Sequence, residues 1–156
     1  KNQSSLKGNS LEKSQYVFNK YLQKCFADDT DLEVEALDDK PGVLSARYAG
    51  PQKNPEDNVR LLLKKLENKE NRKAKFRTVI TLFLDNHPIQ FEGVVKGRII
   101  GERKGEKGFG YDPVFVPEGY EQTFAEMSLE DKKRINHRGI AFRKLVHYLQ
   151  QRTNDQ

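Results

Sequence analysis

The stretch GEKGFGYDPVFVPEGY, from Gly105 to Tyr120, combines glycines, aromatic residues and prolines with a single Asp in a highly charged chain. Within GFGYDP, the glycines would let the ring of Phe109 or Tyr111 lie flat on a nucleobase, while the Asp112 carboxylate accepts hydrogen bonds from the N–H groups of the base. The alternative is a tight glycine-rich turn whose aromatic side chains simply enter the core. The residues of this stretch leave both interpretations open.

Two adjacent carboxylates, Asp28 and Asp29, stand at the boundary of a predicted strand. Magnesium takes one or two oxygen ligands from protein and the remainder from water and phosphate, so such a pair suits this ion. A carboxylate beside the metal could also accept a proton from water. Acids also cluster in loops and at strand ends for structural reasons, and without further context that interpretation is favoured.

The segment NHRG places His137 and the permanently charged Arg138 at the start of a predicted helix. Free backbone N–H groups also point outward there, so the donors suit a phosphate or a carbonyl oxygen. The alternative is a solvated, basic helix start. For DKKRINHR as a whole, a generic nucleic-acid or surface patch is equally compatible with the residues.

Hydrophobic periodicity predicts the elements that would position these groups. Residues 9–21 allow an amphipathic helix, and in residues 32–36 apolar side chains alternate with acids as in a half-buried strand. The clearest helix lies in NPEDNVRLLLKKLE, with Asn54 as N-cap and Pro55 at the first helical position. Its predicted core face consists of Val59, Leu62, Leu63 and Leu66.

The segments KFRTVITLFLD and IQFEGVVKGRIIG are predicted to form a long hairpin, in which Gly93 and Gly97 allow a bulge or a bend. SLEDKKRI is predicted to be a short helical turn. NHRGIAFRKLVHYLQQ is predicted to be a closing helix with Asn136 as N-cap and with Ile140, Leu145 and Leu149 facing inward. These elements indicate an α/β fold with a mixed sheet.

Bulk properties limit the class of protein. A length of 156 residues fits one domain, and the formal net charge of +5 favours anionic partners such as phosphate compounds or nucleic acid. Cys25 is the only cysteine, which excludes an intramolecular disulfide and suits a reducing cytoplasm. The sequence has neither an apolar run of bilayer length nor a secretory signal pattern, so we expect a cytoplasmic protein without a membrane partner.

Four ordered blocks resemble the inosine triphosphate pyrophosphatase family, the non-canonical purine nucleoside triphosphate pyrophosphatases: FADDTDLEVEAL, PGVLSARYAG, GFGYDPVFVPEGYEQTFAEM and DKKRINHRGIA. The resemblance covers nearly the whole chain. It implies an elongated mixed sheet flanked by helices, a homodimer, and magnesium-dependent hydrolysis of inosine triphosphate (ITP), dITP and XTP to the monophosphate and pyrophosphate. It also implies no stable nucleic-acid partner.

The resemblance also implies a role for individual residues. Asp29 would be the metal-linked carboxylate and general base, with Asp28 beside it. Phe109 would stack on the base, and His137 and Arg138 would read its 6-keto oxygen. The remaining substrate-binding positions are Tyr111 and Asp112 in the base pocket, Lys132 near the ligand, and Asn9 and Lys13 on the helix beside the triphosphate.

The sequence departs from the family pattern in three places. Asp31 stands where glycine is usual, and Asn136 replaces the usual serine before His-Arg. The strand, the Thr-x-Asn-x-x-Lys phosphate loop and the acidic metal ligand with which the family begins would all precede Lys1. We therefore expect little or no activity from this chain alone and an additional N-terminal segment in the natural gene product.

Two other functions remain open from the sequence. The net charge and the runs KENRKAKFR and DKKRINHR would suit a basic nucleic-acid-binding module. The departures from the family pattern would also be compatible with a catalytically inactive family member.

Overall fold

The computed structural model of the chain describes residues 25–84 and 87–154. Its strands are β1 (Cys25–Val34), β2 (Lys40–Gly42), β3 (Lys73–Leu84), β4 (His87–Ile99) and β5 (Phe115–Pro117). They form one sheet in the order β2-β1-β3-β4-β5, with antiparallel pairing of β1 with β2 and of β4 with β5. The predicted α/β class and the predicted β3-β4 hairpin are confirmed. The helix predicted at residues 9–21, with Asn9 and Lys13, lies outside the described residues.

Helix α1 (Pro55–Lys65) begins as the sequence predicts. The side chain of Asn54 accepts hydrogen bonds from the backbone N–H groups of Glu56 and Asp57, at 2.9 and 3.1 Å. These bonds satisfy two of the N–H groups that a helix start leaves unpaired. Of the predicted core face, Val59, Leu62 and Leu66 are buried and Leu63 is only half-buried.

Two more helices close the chain, α2 (Leu129–Ile135) and α3 (His137–Asn154). The side chain of Asn136 accepts a hydrogen bond from Gly139 N at 2.7 Å, so the predicted N-cap of α3 is confirmed. The predicted inward face of α3 needs a correction. Leu145 is buried, but Leu149 is 38% exposed and Ala141 takes a core position, because the helix turns its small residue toward the sheet.

The chain folds as two compact units. Of the described residues, unit 1 contains 25–30, those within Arg77–Val94, and 136–154. Its core joins the β3-β4 hairpin to α3 through Ile80, Leu82, Ala141 and Leu145. Unit 2 contains Asp31–Phe76 and Val95–Ile135. Its core includes three packed rings, Phe76, Phe115 and Phe124, whose centroids lie 4.5 to 6.0 Å apart.

None of the helices in the described part of the chain is long and apolar enough to cross a bilayer.

Candidate active site

The aromatic loop, which we define as Gly105–Asp112, lies in unit 2 and depends on glycine for its backbone conformation. Gly108 and Gly110 have φ angles of +79° and +60°, a region that side chains other than glycine rarely adopt. A Cβ atom on Gly108 would also lie 2.3 Å from the Asp112 carboxylate. The loop can therefore fold tightly around this carboxylate only with glycine at position 108.

Asp112 is the buried anchor of the aromatic loop. Its Oδ2 atom accepts a hydrogen bond from Lys132 Nζ at 2.5 Å and another from Phe109 N at 3.1 Å. The side chains of Asp112 and Lys132 are both more than nine-tenths buried. Each charge therefore compensates the other, which a buried ionic group requires. The structure thus brings three of the predicted site residues together.

Phe109 points away from the core, with 66% of its surface exposed. Lys132 Nζ lies 4.5 Å from the centroid of its ring, within the range of a cation–π interaction. An exposed aromatic ring that is held by a buried ion pair is suited to stacking on a planar ligand. The exposure of Phe109 is contrary to the core interpretation, and its stacking on a ligand stays a prediction.

Unlike Phe109, Tyr111 has its side chain in the core of unit 2. It is buried, and its hydroxyl donates a hydrogen bond to the carbonyl oxygen of Ser45 at 2.6 Å. Burial, with a smaller contribution from Tyr48, raises the pKa of the Tyr111 hydroxyl well above its ordinary value. The hydroxyl therefore stays protonated and remains a donor.

The acidic residues Asp28 and Asp29 belong to unit 1 and differ in their surroundings. Asp29 is buried, with 3% of its surface exposed. Asp28 is partly exposed and forms an ion pair with Arg138 across 3.3 Å. Thr30, the next residue, shares a hydrogen bond with Thr78 on β3, with 2.8 Å between the two hydroxyl oxygens. This bond ties the strand that carries the two acids to the neighbouring strand.

Glycine and asparagine position the start of α3 in unit 1. A Cβ atom on Gly93 would lie 2.0 Å from the carbonyl oxygen of His137 and 2.7 Å from Ala141 N, so α3 approaches β4 where the strand has no side chain. His137 is buried at the first position of the helix. Arg138 follows it and reaches Asp28. The structure thus brings Arg138 and Asp28 together.

Comparison with known proteins identifies the family. The Ham1 family model matches residues 1–148. The chain belongs to the Ham1 family. It is 52% identical to a dITP/XTP pyrophosphatase of Flavobacterium psychrophilum over 145 residues, which cover 93% of the chain and 76% of the relative.

Solved structures of the family have the same fold. The Ham1 protein of Staphylococcus aureus matches with a TM-score of 0.93 and 39% identity, over 97% of this chain and 79% of that protein. The Ham1 protein of Coxiella burnetii matches with a TM-score of 0.92 and 33% identity, over 96% and 79%. The predicted resemblance to the inosine triphosphate pyrophosphatases is confirmed at the level of family and fold.

The side chains of this Ham1 family member that would coordinate magnesium are carboxylates. Among residues 25–84 and 87–154, no group of three His, Cys, Asp or Glu side chains could hold a metal ion. Magnesium beside a phosphate needs only one or two protein carboxylates. The buried Asp29 has the carboxylate that such a site uses, and Asp28 next to it forms an ion pair with Arg138.

Sequence reasoning assigned no role to Ser45 and Asn58, two polar residues that the structure buries in unit 2. Asn58 Nδ2 donates to the carbonyl oxygen of Ala46 at 2.9 Å, and its Oδ1 accepts from Ala49 N at 2.8 Å. One signal was available, because Asn58 precedes the buried Leu62 by four residues and so lies on the apolar face of α1. A polar residue on such a face indicates a buried hydrogen-bonding role.

Proposed function

We propose that the protein hydrolyses non-canonical purine nucleoside triphosphates, with dITP, XTP and ITP as substrates, to the monophosphate and pyrophosphate. The observation that carries this proposal is its 52% identity to a dITP/XTP pyrophosphatase over 93% of the chain. The role is removal of abnormal purines from the nucleotide pool. Residues 1–156 act in it as one functional domain, since a single family model covers parts of both units.

Phe109 is the stacking platform for the base in this proposal. Its exposed ring and its contact with Lys132 support that role, because stacking of a base on an aromatic side chain stabilises binding by roughly 1–3 kcal/mol. Lys132 uses one of its three N–H donors on Asp112 and has others for a ligand. Asp112 offers its carboxylate to N–H groups of the base, and Tyr111 holds the loop from the core side.

His137 and Arg138 read the 6-keto oxygen in this proposal. Both side chains can donate hydrogen bonds, and they stand at the start of α3, where the helix dipole favours a partial negative charge. Adenine presents an amino group instead of the keto oxygen and would leave the donor of the buried His137 unsatisfied, at about 1–3 kcal/mol. A site of this kind discriminates strongly against adenine nucleotides.

Asp29 is the general base in this proposal and, with Asp28, holds magnesium. The bound ion supplies neutralisation of the charge that develops on the phosphate oxygens. The oxygen of a water molecule forms a bond to the α-phosphorus as the bond to the oxygen that bridges to the β-phosphate breaks. The Asp29 carboxylate accepts the proton of that water, and pyrophosphate leaves.

The remaining parts of the proposal concern assembly and the phosphate groups. The family resemblance implies that Asn9 and Lys13 bind the triphosphate in this proposal. The protein acts as a homodimer in the cytoplasm and forms no stable complex with nucleic acid.

The test of the proposed function is pyrophosphate release by the complete gene product from dITP, XTP, ITP, ATP and GTP, each with magnesium. We expect rapid release from the first three and little from ATP and GTP. EDTA should abolish it, and added magnesium should restore it. Equal rates with ATP and ITP would contradict the proposed base recognition, and no release from any nucleotide would indicate an inactive family member.

A further inference from the structure

Ser45 is the centre of a hydrogen-bond network that the proposed reaction does not use directly. Its hydroxyl donates to the carbonyl oxygen of Gly42 at 2.6 Å and accepts from Leu32 N at 2.9 Å. Its carbonyl oxygen accepts from Tyr111 at 2.6 Å, and Asn58 Nδ2 approaches the same oxygen at 3.4 Å. Ser45 is buried, and the bonds with Leu32, Tyr111 and Asn58 are shielded from water.

Helix α1 contacts the segment around Ser45 through hydrogen bonds of Asn58. Through its side-chain amide, Asn58 contacts the backbone of Ala46 and Ala49 as well as that of Ser45. These bonds hold the backbone at Ser45 and beside it, so the Ser45 carbonyl group offers a fixed acceptor to the Tyr111 hydroxyl. The ordinary pKa of a tyrosine hydroxyl already lies above the physiological range, and burial raises the pKa of Tyr111 further, so its hydroxyl remains a donor.

Tyr111 is placed so that this bond controls the aromatic loop. It directly precedes Asp112 and lies two residues after Phe109, and Gly110 between them has a φ angle of +60°. A loop with glycine at 108 and 110 has much conformational freedom unless a contact restrains it. The Tyr111 side chain, like that of Asp112, is buried, and it reaches a fixed acceptor in the segment around Ser45.

We propose that Tyr111 is a positioning residue for base recognition: its hydrogen bond to the Ser45 carbonyl holds the aromatic loop in the conformation that presents Phe109 and Asp112. The substrate class in this inference rests on the proposed function. The hydroxyl acts through the loop, so it should govern affinity for the nucleotide and leave the hydrolytic step unchanged.

The test compares Tyr111→Phe with Tyr48→Phe in the complete gene product. Tyr48 is a matched control, because its hydroxyl oxygen is also buried but makes no hydrogen bond to any described residue. For Tyr111→Phe we expect KM for ITP to rise about 3- to 10-fold, the effect of losing one hydrogen bond, with kcat unchanged within about twofold. Tyr48→Phe should leave both constants unchanged.

A double mutant separates positioning from a general loss of stability. If Tyr111 acts through Phe109, adding Tyr111→Phe to Phe109→Ala should raise KM by less than about twofold beyond the Phe109→Ala value. Full additivity of the two effects, or equal KM values for the Tyr111 and Tyr48 variants, would overturn the proposal.

Amide hydrogen exchange provides a measurement that does not depend on activity. The Phe109 amide is hydrogen-bonded to the Asp112 carboxylate, so its exchange reports on the closed loop. It should accelerate in Tyr111→Phe and not in Tyr48→Phe. If the wild-type protein hydrolyses no nucleotide, the proposed function fails, and this exchange alone decides the positioning role: faster exchange supports it and unchanged exchange refutes it.

Discussion

At the scale of single residues, Lys132 links the buried and the exposed parts of the aromatic loop. Its ammonium group contacts the Asp112 carboxylate on one side and lies above the Phe109 ring on another. Lysine reaches both because its long apolar stem can be buried while the charged end meets a partner. The residue therefore couples the electrostatics of the loop to the orientation of the ring.

Phe109→Ala should weaken ITP binding by roughly 1–3 kcal/mol, the stacking energy of a base on an aromatic ring. The melting temperature should change little, because 66% of the residue's surface is exposed and few core contacts are lost. Isothermal titration with ITP and thermal unfolding measure the two quantities. Phe142→Ala is the matched control, since Phe142 is 51% exposed on α3 and has no proposed ligand role. Unchanged affinity in Phe109→Ala would remove Phe109 from the base pocket.

Asp29→Asn should reduce turnover by about 10²- to 10⁴-fold, the typical contribution of a general base, and largely spare nucleotide binding. The amide has nearly the shape of the carboxylate but cannot accept the proton of the attacking water. Pyrophosphate release and titration with ITP measure the two effects. Turnover near the wild-type value would exclude Asp29 as the base.

At the scale of elements, the contact between β4 and α3 sets the position of His137. The strand provides a gap at Gly93, and the first turn of the helix fills it with the His137 carbonyl group. Asn136 then caps the helix with its own side chain. The positions of His137 and Arg138, the residues proposed to bind the 6-keto oxygen, thus depend on glycine at position 93 of β4.

Gly93→Ala should therefore move the start of α3, because the new methyl group would lie 2.0 Å from the His137 carbonyl oxygen. Overpacking of this kind costs typically about 1–3 kcal/mol of unfolding free energy, and the activity should fall as well. Urea unfolding and pyrophosphate release measure the two losses. Gly101→Ala is the control, since nothing lies within 4 Å of the position that its new methyl group would take, and it should keep wild-type stability. Equal stability of the two variants would show that α3 does not pack tightly on Gly93.

At the scale of the whole molecule, acids pair with several of the basic side chains in the two basic runs. In KENRKAKFR, Lys75 pairs with Glu33 at 3.6 Å and Arg77 pairs with Glu92 at 2.6 Å. The second run, DKKRINHR, is compensated in the same way by the pairs Lys132–Asp112, Arg134–Asp131 and Arg138–Asp28. These five ion pairs therefore offset part of the positive charge of the two runs.

We accordingly expect weak binding to single-stranded DNA and saturable binding to ITP. Binding to a phosphate backbone falls steeply with salt, because condensed counterions are released. Titrations of the protein with both ligands, each at a low and a high salt concentration, distinguish the two functions. Tight, strongly salt-dependent DNA binding without ITP binding would favour the nucleic-acid-binding module instead.

The local sequence determined the elements whose signals lie within a few residues. The caps of α1 and α3 depend on Asn54 and Asn136 and on backbone groups two or three positions away, so their side chains identify the helix starts. The long hairpin follows from two apolar segments separated by a short turn. The motif blocks also identified the family, because four of them in one order are far more specific than any single block.

Only the tertiary structure decided which way each side chain points. Phe109 and Tyr111 are both aromatic residues in one glycine-rich loop, yet Phe109 is exposed and Tyr111 is buried. The acceptor of the Tyr111 hydroxyl is the Ser45 carbonyl oxygen, which lies far away in sequence. Ala141 occupies a core position for the same reason, because its partners Ile80 and Leu82 come from a segment distant along the chain. Such contacts depend on how elements pack against one another, and residue spacing within one segment does not predict that packing.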